Sequence, residues 1–160
     1  GTFKTLKQNG VPKLTHISEI TGFSEMLEGR IKTVHPKILA GILAIRNNKG
    51  HMRDLENSHI DPIDLVVCNL YPFEEVTKKG ASLENALENI DIGGPTMIRA
   101  AAKNFENVVV VVNPSRYMQI LKEYKHNGDV NAKTRKNLAL EAFKEMSRYD
   151  SIIWKFLEKT

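Results

Sequence analysis

The sequence predicts an α/β protein in which a parallel sheet is flanked by helices. Three observations carry that expectation. Residues 64–70 and 107–113 are continuous apolar runs rich in β-branched side chains with polar ends, the second holding five consecutive valines. Such runs suit parallel strands covered on both faces, whereas a half-wet strand would alternate. Segments with helical character alternate with these strands, which points to an open sheet. Ligands of open α/β sheets bind beyond the carboxyl ends of the strands, so the residues just after Val67 and Val112 are the first places to look.

Helices are expected over residues 2–8, 36–44, 51–58, 82–88, 95–103 and 115–125, and a third, shorter strand over 11–17. Pro36 and Pro95 suit a first helical turn, where the missing N–H has no intrahelical partner to lose. Ala100, Ala101 and Ala102 let the 95–103 helix approach the sheet closely. The stretch 132–157 is the strongest helix. Leu138, Ala142, Phe143, Met146, Tyr149, Ile152, Ile153 and Phe156 recur at steps of three and four and make one apolar stripe. It reads as a terminal helix packed on the core, whole or broken near Tyr149-Asp150, with a dimer contact as the alternative. Residues 1–130 are expected to form the core domain and 131–160 a helical extension.

Composition narrows the function classes. The chain has 160 residues, 41% hydrophobic and 26% charged, which excludes a disordered tail, a collagen-like rod and a disulfide scaffold. Its 23 Lys and Arg against 19 Asp and Glu give +4, too weak and scattered for a nucleic-acid surface. A small polyanion such as a phosphate ester needs only a few local cations and fits better. One cysteine allows no internal disulfide and suits a reducing compartment. The five histidines are scattered, so no metal site is expected. No apolar run approaches the ~20 residues of a membrane span. The start at Gly1 has neither an initiator Met nor a signal-peptide core, so a fragment or a processed chain is expected.

Four segments carry chemistry. In Gly29-Arg30-Ile31-Lys32-Thr33-Val34-His35-Pro36-Lys37, cations, a hydroxyl and an imidazole crowd into a loop before a helix start. Arg30 and Lys32 project to the same side of an extended loop and can share an anionic or amide-bearing ligand. A solvated basic turn is the plainer reading, and His35 reads as a helix-entry residue. In Asn69-Leu70-Tyr71-Pro72-Phe73, Tyr71 emerges at a strand's carboxyl end as a proton donor or as a ring capping the core. Cys68 reads as an inert strand residue lining the site.

In Asp91-Ile92-Gly93-Gly94-Pro95-Thr96 the glycine pair leaves approachable amides at a helix start, a nest able to hold an oxyanion. Asp91 is either a general base or the cap of that turn. In Arg99-Ala100-Ala101-Ala102-Lys103-Asn104, Lys103 falls ~12 Å along a straight helix from its start. It meets Asp91 only if the helix is short or bent, or if the two reach opposite sides of a ligand.

Together these motifs, with Glu88-Asn89-Ile90 before Asp91, Met97 after Thr96, and Thr21-Gly22-Phe23-Ser24-Glu25-Met26-Leu27 before the basic loop, resemble the IMP cyclohydrolase domain of bifunctional purine biosynthesis proteins. The resemblance runs from Gly1 to about Leu157. It implies a methylglyoxal-synthase-like fold and closure of 5-formamidoimidazole-4-carboxamide ribotide to inosine monophosphate with loss of water. It implies no metal or organic cofactor, a purine nucleotide as partner rather than nucleic acid or membrane, a homodimer, and a cytoplasmic setting.

By motif position, the implied catalytic residues are Lys32 and Tyr71 on the carboxamide side and Asp91 and Lys103 on the formyl side. Ile92 and Gly93 would join through their backbone. Arg30, Ile31 and Thr33 would hold the nucleotide, Cys68 and Asn69 would line the base, and Gly1 and Thr2 are what this chain carries of the family's second phosphate-binding motif. The family's opening strand–turn–helix and its transformylase domain have no counterpart here. A chain of this extent is therefore expected to expose a sheet edge and to show weak activity or none alone. A non-catalytic nucleotide-binding regulatory module on the same fold is the alternative. Methylglyoxal synthase itself would need its own Asp/His site, for which no match is found.

Overall fold

The structure, a computed structural model, describes residues 2–160. Its sheet is a parallel pair, β1 (Leu65–Val67) and β2 (Val109–Val111), with Leu65 opposite Val109, Val66 opposite Val110 and Val67 opposite Val111. Before β1 come α1 (Thr2–Gln8), α2 (Ile17–Thr21), α3 (Pro36–Leu43) and α4 (Lys49–Asn57). The crossover holds α5 (Phe73–Lys78), α6 (Leu83–Glu88) and α7 (Gly93–Lys103), and β2 leads to α8 (Tyr117–Asn127) and α9 (Ala132–Leu157). Among the described residues no helix is long and apolar enough to cross a membrane.

The crossover helix α7 organises the core. It packs on both strands and on α3 and α9. Its alanines are buried as expected, Ala101 fully, and Ile98 beside them is fully buried too. Just past its end the buried Asn104 side chain donates to the Ile42 carbonyl at 2.7 Å and to that of Ala44 at 3.0 Å. That end of α7 is thereby fixed beside the close of α3, near the entry to β2. Helix α9 is unbroken over 26 residues. Leu138, Ala139, Ala142 and Met146 enter the main core, while Tyr149 joins Phe73 and Ala86 in a second cluster backed by Ile152, Ile153 and Phe156. Phe143 departs from the expected stripe and stands 47% exposed. It follows Ala142 by one residue, about 100° around the helix.

Two expectations are corrected. The strand expected over 11–17 does not form: these residues are irregular until Ile17 opens α2. Pro12 has no N–H to give a ladder, and Val11 is exposed. The strands are also unlike each other. All three residues of β2 are buried, but β1 buries only Val66, and Leu65 and Val67 are each 49% exposed. The β-branched run marks the strand correctly, yet a side chain's burial depends on what lies over it.

Two short helices were not expected. Helix α2 is opened by the Glu19 carboxylate, which accepts the His16 N–H at 3.1 Å, and closed by Gly22 at φ 69. Helix α5 follows Pro72, with Glu74 and Glu75 in its first turn and Lys78 in its last, as the helix dipole favours.

Candidate active site

The turn after α6 carries Asp91 and the glycine pair. One Asp91 carboxylate oxygen, Oδ1, accepts the Gly94 N–H at 2.8 Å, so Asp91 caps α7. The backbone N–H of Asp91 donates to the Tyr149 hydroxyl at 2.8 Å. The glycine pair is required by proximity. A Cβ on Gly94 would sit 2.5 Å from Asp91 Oδ2 and 2.9 Å from Leu70 Cδ2, and one on Gly93 would collide with Thr33 Oγ1. With Gly94 N–H taken and Pro95 lacking one, the amides of Ile92 and Gly93 have no acceptor among the described residues. They stand at the positive end of an 11-residue helix, and Ile92 is 61% exposed. A carboxylate and two open amides there can serve proton transfer and oxyanion stabilisation together.

The basic loop reaches this turn where Thr33 lies against Gly93. Its entry is a tight turn in which Leu27 and Glu28 both hold positive φ (52° and 56°), closed by an antiparallel bridge between Met26 and Ile31. Left-handed non-glycine residues cost about 1–2 kcal/mol each. Arg30 pairs with Glu88 at the end of α6, and that bond raises the pKa of an already permanent cation. Lys32 lies 3.6 Å from Glu25, and both are more than half exposed. His35 is the helix-entry residue expected: its Nδ1 accepts the Lys37 N–H at 3.2 Å.

At the carboxyl end of β1, Cys68 is half-buried. Burial first, and the Asp91 charge second, push its thiol up to about 11. The inert reading of Cys68 therefore stands, and it places Cys68 within electrostatic reach of Asp91. Asn69 Nδ2 donates to the Tyr117 hydroxyl at 3.3 Å. Tyr71 is 60% exposed, and its hydroxyl has no partner among the described residues.

Lys103 is not brought to this turn. Helix α7 runs its full length, so about 15 Å of helix separates Lys103 from Gly93. The short or bent helix that would let Lys103 meet Asp91 is not what forms. Thr2 lies in α1, which buries no residue, and Gly1 falls outside the described residues. Residues after Val112 do line a cleft of about 380 Å³, formed with Glu141, Lys144, Glu145 and Arg148 of α9, but none of the expected site residues faces it.

The neighbour missed from the sequence is Tyr149. Its 3–4 spacing in the α9 stripe assigns it to the core, where it is indeed 4% exposed. Nothing in that spacing shows that its hydroxyl ends on the Asp91 backbone. Burial raises its pKa, so the hydroxyl stays protonated.

Comparison with known proteins gives a consistent result. Residues 1–96 match the family model for the MGS-like domain, and residues 101–160 that for the AICARFT/IMPCHase bienzyme. The chain is 53% identical over 160 residues to the bifunctional purine biosynthesis protein PurH of Acetivibrio thermocellus, covering 99% of this chain and 31% of that protein. To the PurH of Clostridium acetobutylicum it is 53% identical over 157 residues, covering 98% and 31%. It thus spans about a third of the length of these relatives. Among solved structures it resembles the crystal structure of ForH, with a TM-score of 0.86 and 31% identity over 99% of this chain and 81% of that one.

Proposed function

The chain belongs to the MGS-like domain family, and from that premise and its likeness to PurH we propose that it serves purine biosynthesis as an IMP cyclohydrolase. The reaction closes 5-formamidoimidazole-4-carboxamide ribotide to inosine monophosphate. The carboxamide nitrogen bonds to the formyl carbon and gives up one proton, the formamido nitrogen gives up its own as the ring C=N bond forms, and the former formyl oxygen leaves with these two protons as water. The nitrogen is a poor nucleophile and the formyl carbon a modest electrophile, so proton transfer and oxyanion stabilisation carry the chemistry. The reaction is intramolecular, so orientation contributes as well.

The observation that carries this reading is the Asp91 turn. One carboxylate oxygen is tied to Gly94 N–H, and the open amides of Ile92 and Gly93 lie beside it. In the proposed mechanism these amides hold the charge that grows on the formyl oxygen. Asp91 handles the proton that departs with it. Lys32 and Tyr71 act on the carboxamide side, Arg30, Ile31 and Thr33 hold the nucleotide, and Cys68 and Asn69 line the base. Lys103 takes no part in this mechanism within one chain.

The separation of Lys103 favours a second reading, a nucleotide-binding module without catalysis. One experiment decides between them: calorimetric binding of inosine monophosphate, with ring closure followed by ultraviolet absorbance, on the chain and on Asp91→Asn. Asn keeps an oxygen for the Gly94 cap. The cyclohydrolase reading expects binding in both and a loss of about 10²–10⁴-fold in rate in the variant. Binding without turnover in either, also when the family's opening segment is joined to the chain, supports the regulatory module, and normal turnover in Asp91→Asn removes Asp91 from the mechanism.

A further inference from the structure

Three consecutive residues of α9 each hold a different piece of the molecule. Arg148 Nη1 pairs with Glu74 of α5 at 2.7 Å. Asp150 pairs with Arg99 of α7. Between them the Tyr149 hydroxyl accepts the Asp91 N–H at 2.8 Å and donates to the Asn89 carbonyl at 3.5 Å. The Tyr149 ring is fixed by an edge contact with Phe73, centroids 6.4 Å apart, and Phe73 in turn meets Phe156 edge-on at 5.7 Å. The hydroxyl is therefore held in one place chiefly by a buried aromatic cluster, with the two exposed ion pairs on either side adding little.

We propose that Tyr149 is a positioning residue for Asp91, its hydroxyl locking the backbone of the turn from which the Asp91 carboxylate and the Ile92 and Gly93 amides reach the substrate. The inference rests on the cyclohydrolase reading and deepens it. The Asp91 side chain and the Gly94 amide secure the turn from its helix side. Only Tyr149, among the described residues, secures the Asp91 amide from the opposite side. Without that bond the peptide between Ile90 and Asp91 has no fixed plane, and the direction of both the carboxylate and the next amides loosens with it.

The division of the chain gives the contact a further meaning. The turn lies in the segment matching the MGS-like model, residues 1–96, whereas Tyr149 lies in the segment matching the bienzyme model, residues 101–160. The hydroxyl is thus a point at which the second segment governs the geometry of a site built by the first.

The test is Tyr149→Phe, which keeps the ring and removes the oxygen. Two measurements read it. Backbone amide exchange by nuclear magnetic resonance needs no turnover: the Asp91 amide is expected to exchange faster, with core amides such as Val110 unchanged. Ring-closure kinetics are expected to show kcat down about tenfold with KM unchanged, the worth of one well-placed hydrogen bond. Phe73→Leu disturbs the same cluster and keeps the hydroxyl, so it reports what lost packing alone does.

The proposal is overturned if the Asp91 amide keeps its protection in Tyr149→Phe. It is equally overturned if kcat is unchanged or falls no further than in a Phe73→Leu variant of equal melting temperature. Asp91→Asn separates the two levels. If that variant turns over normally, the cyclohydrolase role of Asp91 fails. If it is inactive while Tyr149→Phe is normal, the positioning role alone fails.

Discussion

The Asp91 turn and the Arg30–Lys32 loop meet where Thr33 touches Gly93, yet they are held in opposite ways. The turn is fixed by buried or half-buried partners: the Gly94 amide, the Leu70 side chain and the Tyr149 hydroxyl. The loop's cations are held by carboxylates in water, Arg30 by Glu88 and Lys32 by Glu25, with every partner more than half exposed. Exposed pairs are worth about 0–1 kcal/mol and exchange readily with other anions. One region is built before ligand arrives, and the other carries charges that a nucleotide can take over. That division suits a reaction in which the reacting atoms must be aligned but the charged end of the substrate must enter and leave.

The largest expected effect breaks the rigid side. Gly94→Ala places a methyl 2.5 Å from Asp91 Oδ2 and 2.9 Å from Leu70 Cδ2, so the Asp91 carboxylate and the Leu70 side chain must shift to admit it. Overpacking of this kind costs about 1–3 kcal/mol in unfolding free energy. Displacing the carboxylate should lower the ring-closure rate about 10²-fold. Denaturant unfolding and the ultraviolet assay measure the two quantities. Unchanged values in both would show that the turn yields, and the contrast with the loop would disappear.

The middle of the range tests the adjustable side, where the two partners of one pair should behave oppositely. Arg30→Ala removes a cation that would meet the nucleotide, and Glu88→Gln frees that cation from its competitor. Inosine monophosphate is expected to bind a few-fold more weakly to the first and a few-fold more tightly to the second. Both variants should unfold at nearly the parent's denaturant midpoint, because the pair is exposed. Calorimetry across a salt series checks the sign, since screening should shrink both effects. Equal weakening in the two variants would mean that Glu88 positions Arg30 rather than competing for it.

The same contrast explains what the sequence could show. Local signals were legible wherever chemistry is local. The valine run became β2, Pro36 opened α3 with His35 as its cap, and Ala100–Ala102 marked the helix face that meets the sheet. The glycine pair stands out in the sequence for its amides alone. Its second use, admitting Thr33 and the Asp91 carboxylate, depends on segments far apart in the chain. The half-open face of β1 was misread because Leu65 and Val67 resemble buried strand residues whatever covers them. Tyr149 stayed hidden because a stripe at helical spacing records burial and says nothing of where a hydroxyl points. The separation of Lys103 from Asp91 follows from helix rise, and what the structure adds is that α7 runs unbroken from Gly93 to Lys103.

The smallest expected effect sharpens the comparison from within, using Cys68 as a reporter beside Asp91. Its thiol is pushed up from 9.0 to about 11, mainly by burial and secondarily by the Asp91 charge. Alkylation of the native chain should therefore follow a pH profile centred near 11, rather than the 9.0 of an open thiol. The linkage has a definite sign. Between pH 9.0 and about 11 the unfolded chain sheds this proton while the folded chain keeps it. The contribution to stability is complete below that window, declines as pH rises through it, and is level beyond. Asp91→Asn removes the lesser cause only, so the alkylation midpoint should move down and still lie well above 9.0. A midpoint that returns fully to 9.0 in that variant would mean that charge, not burial, governs the pocket beneath the turn. The turn would then be open to water and far less rigid than its contacts indicate.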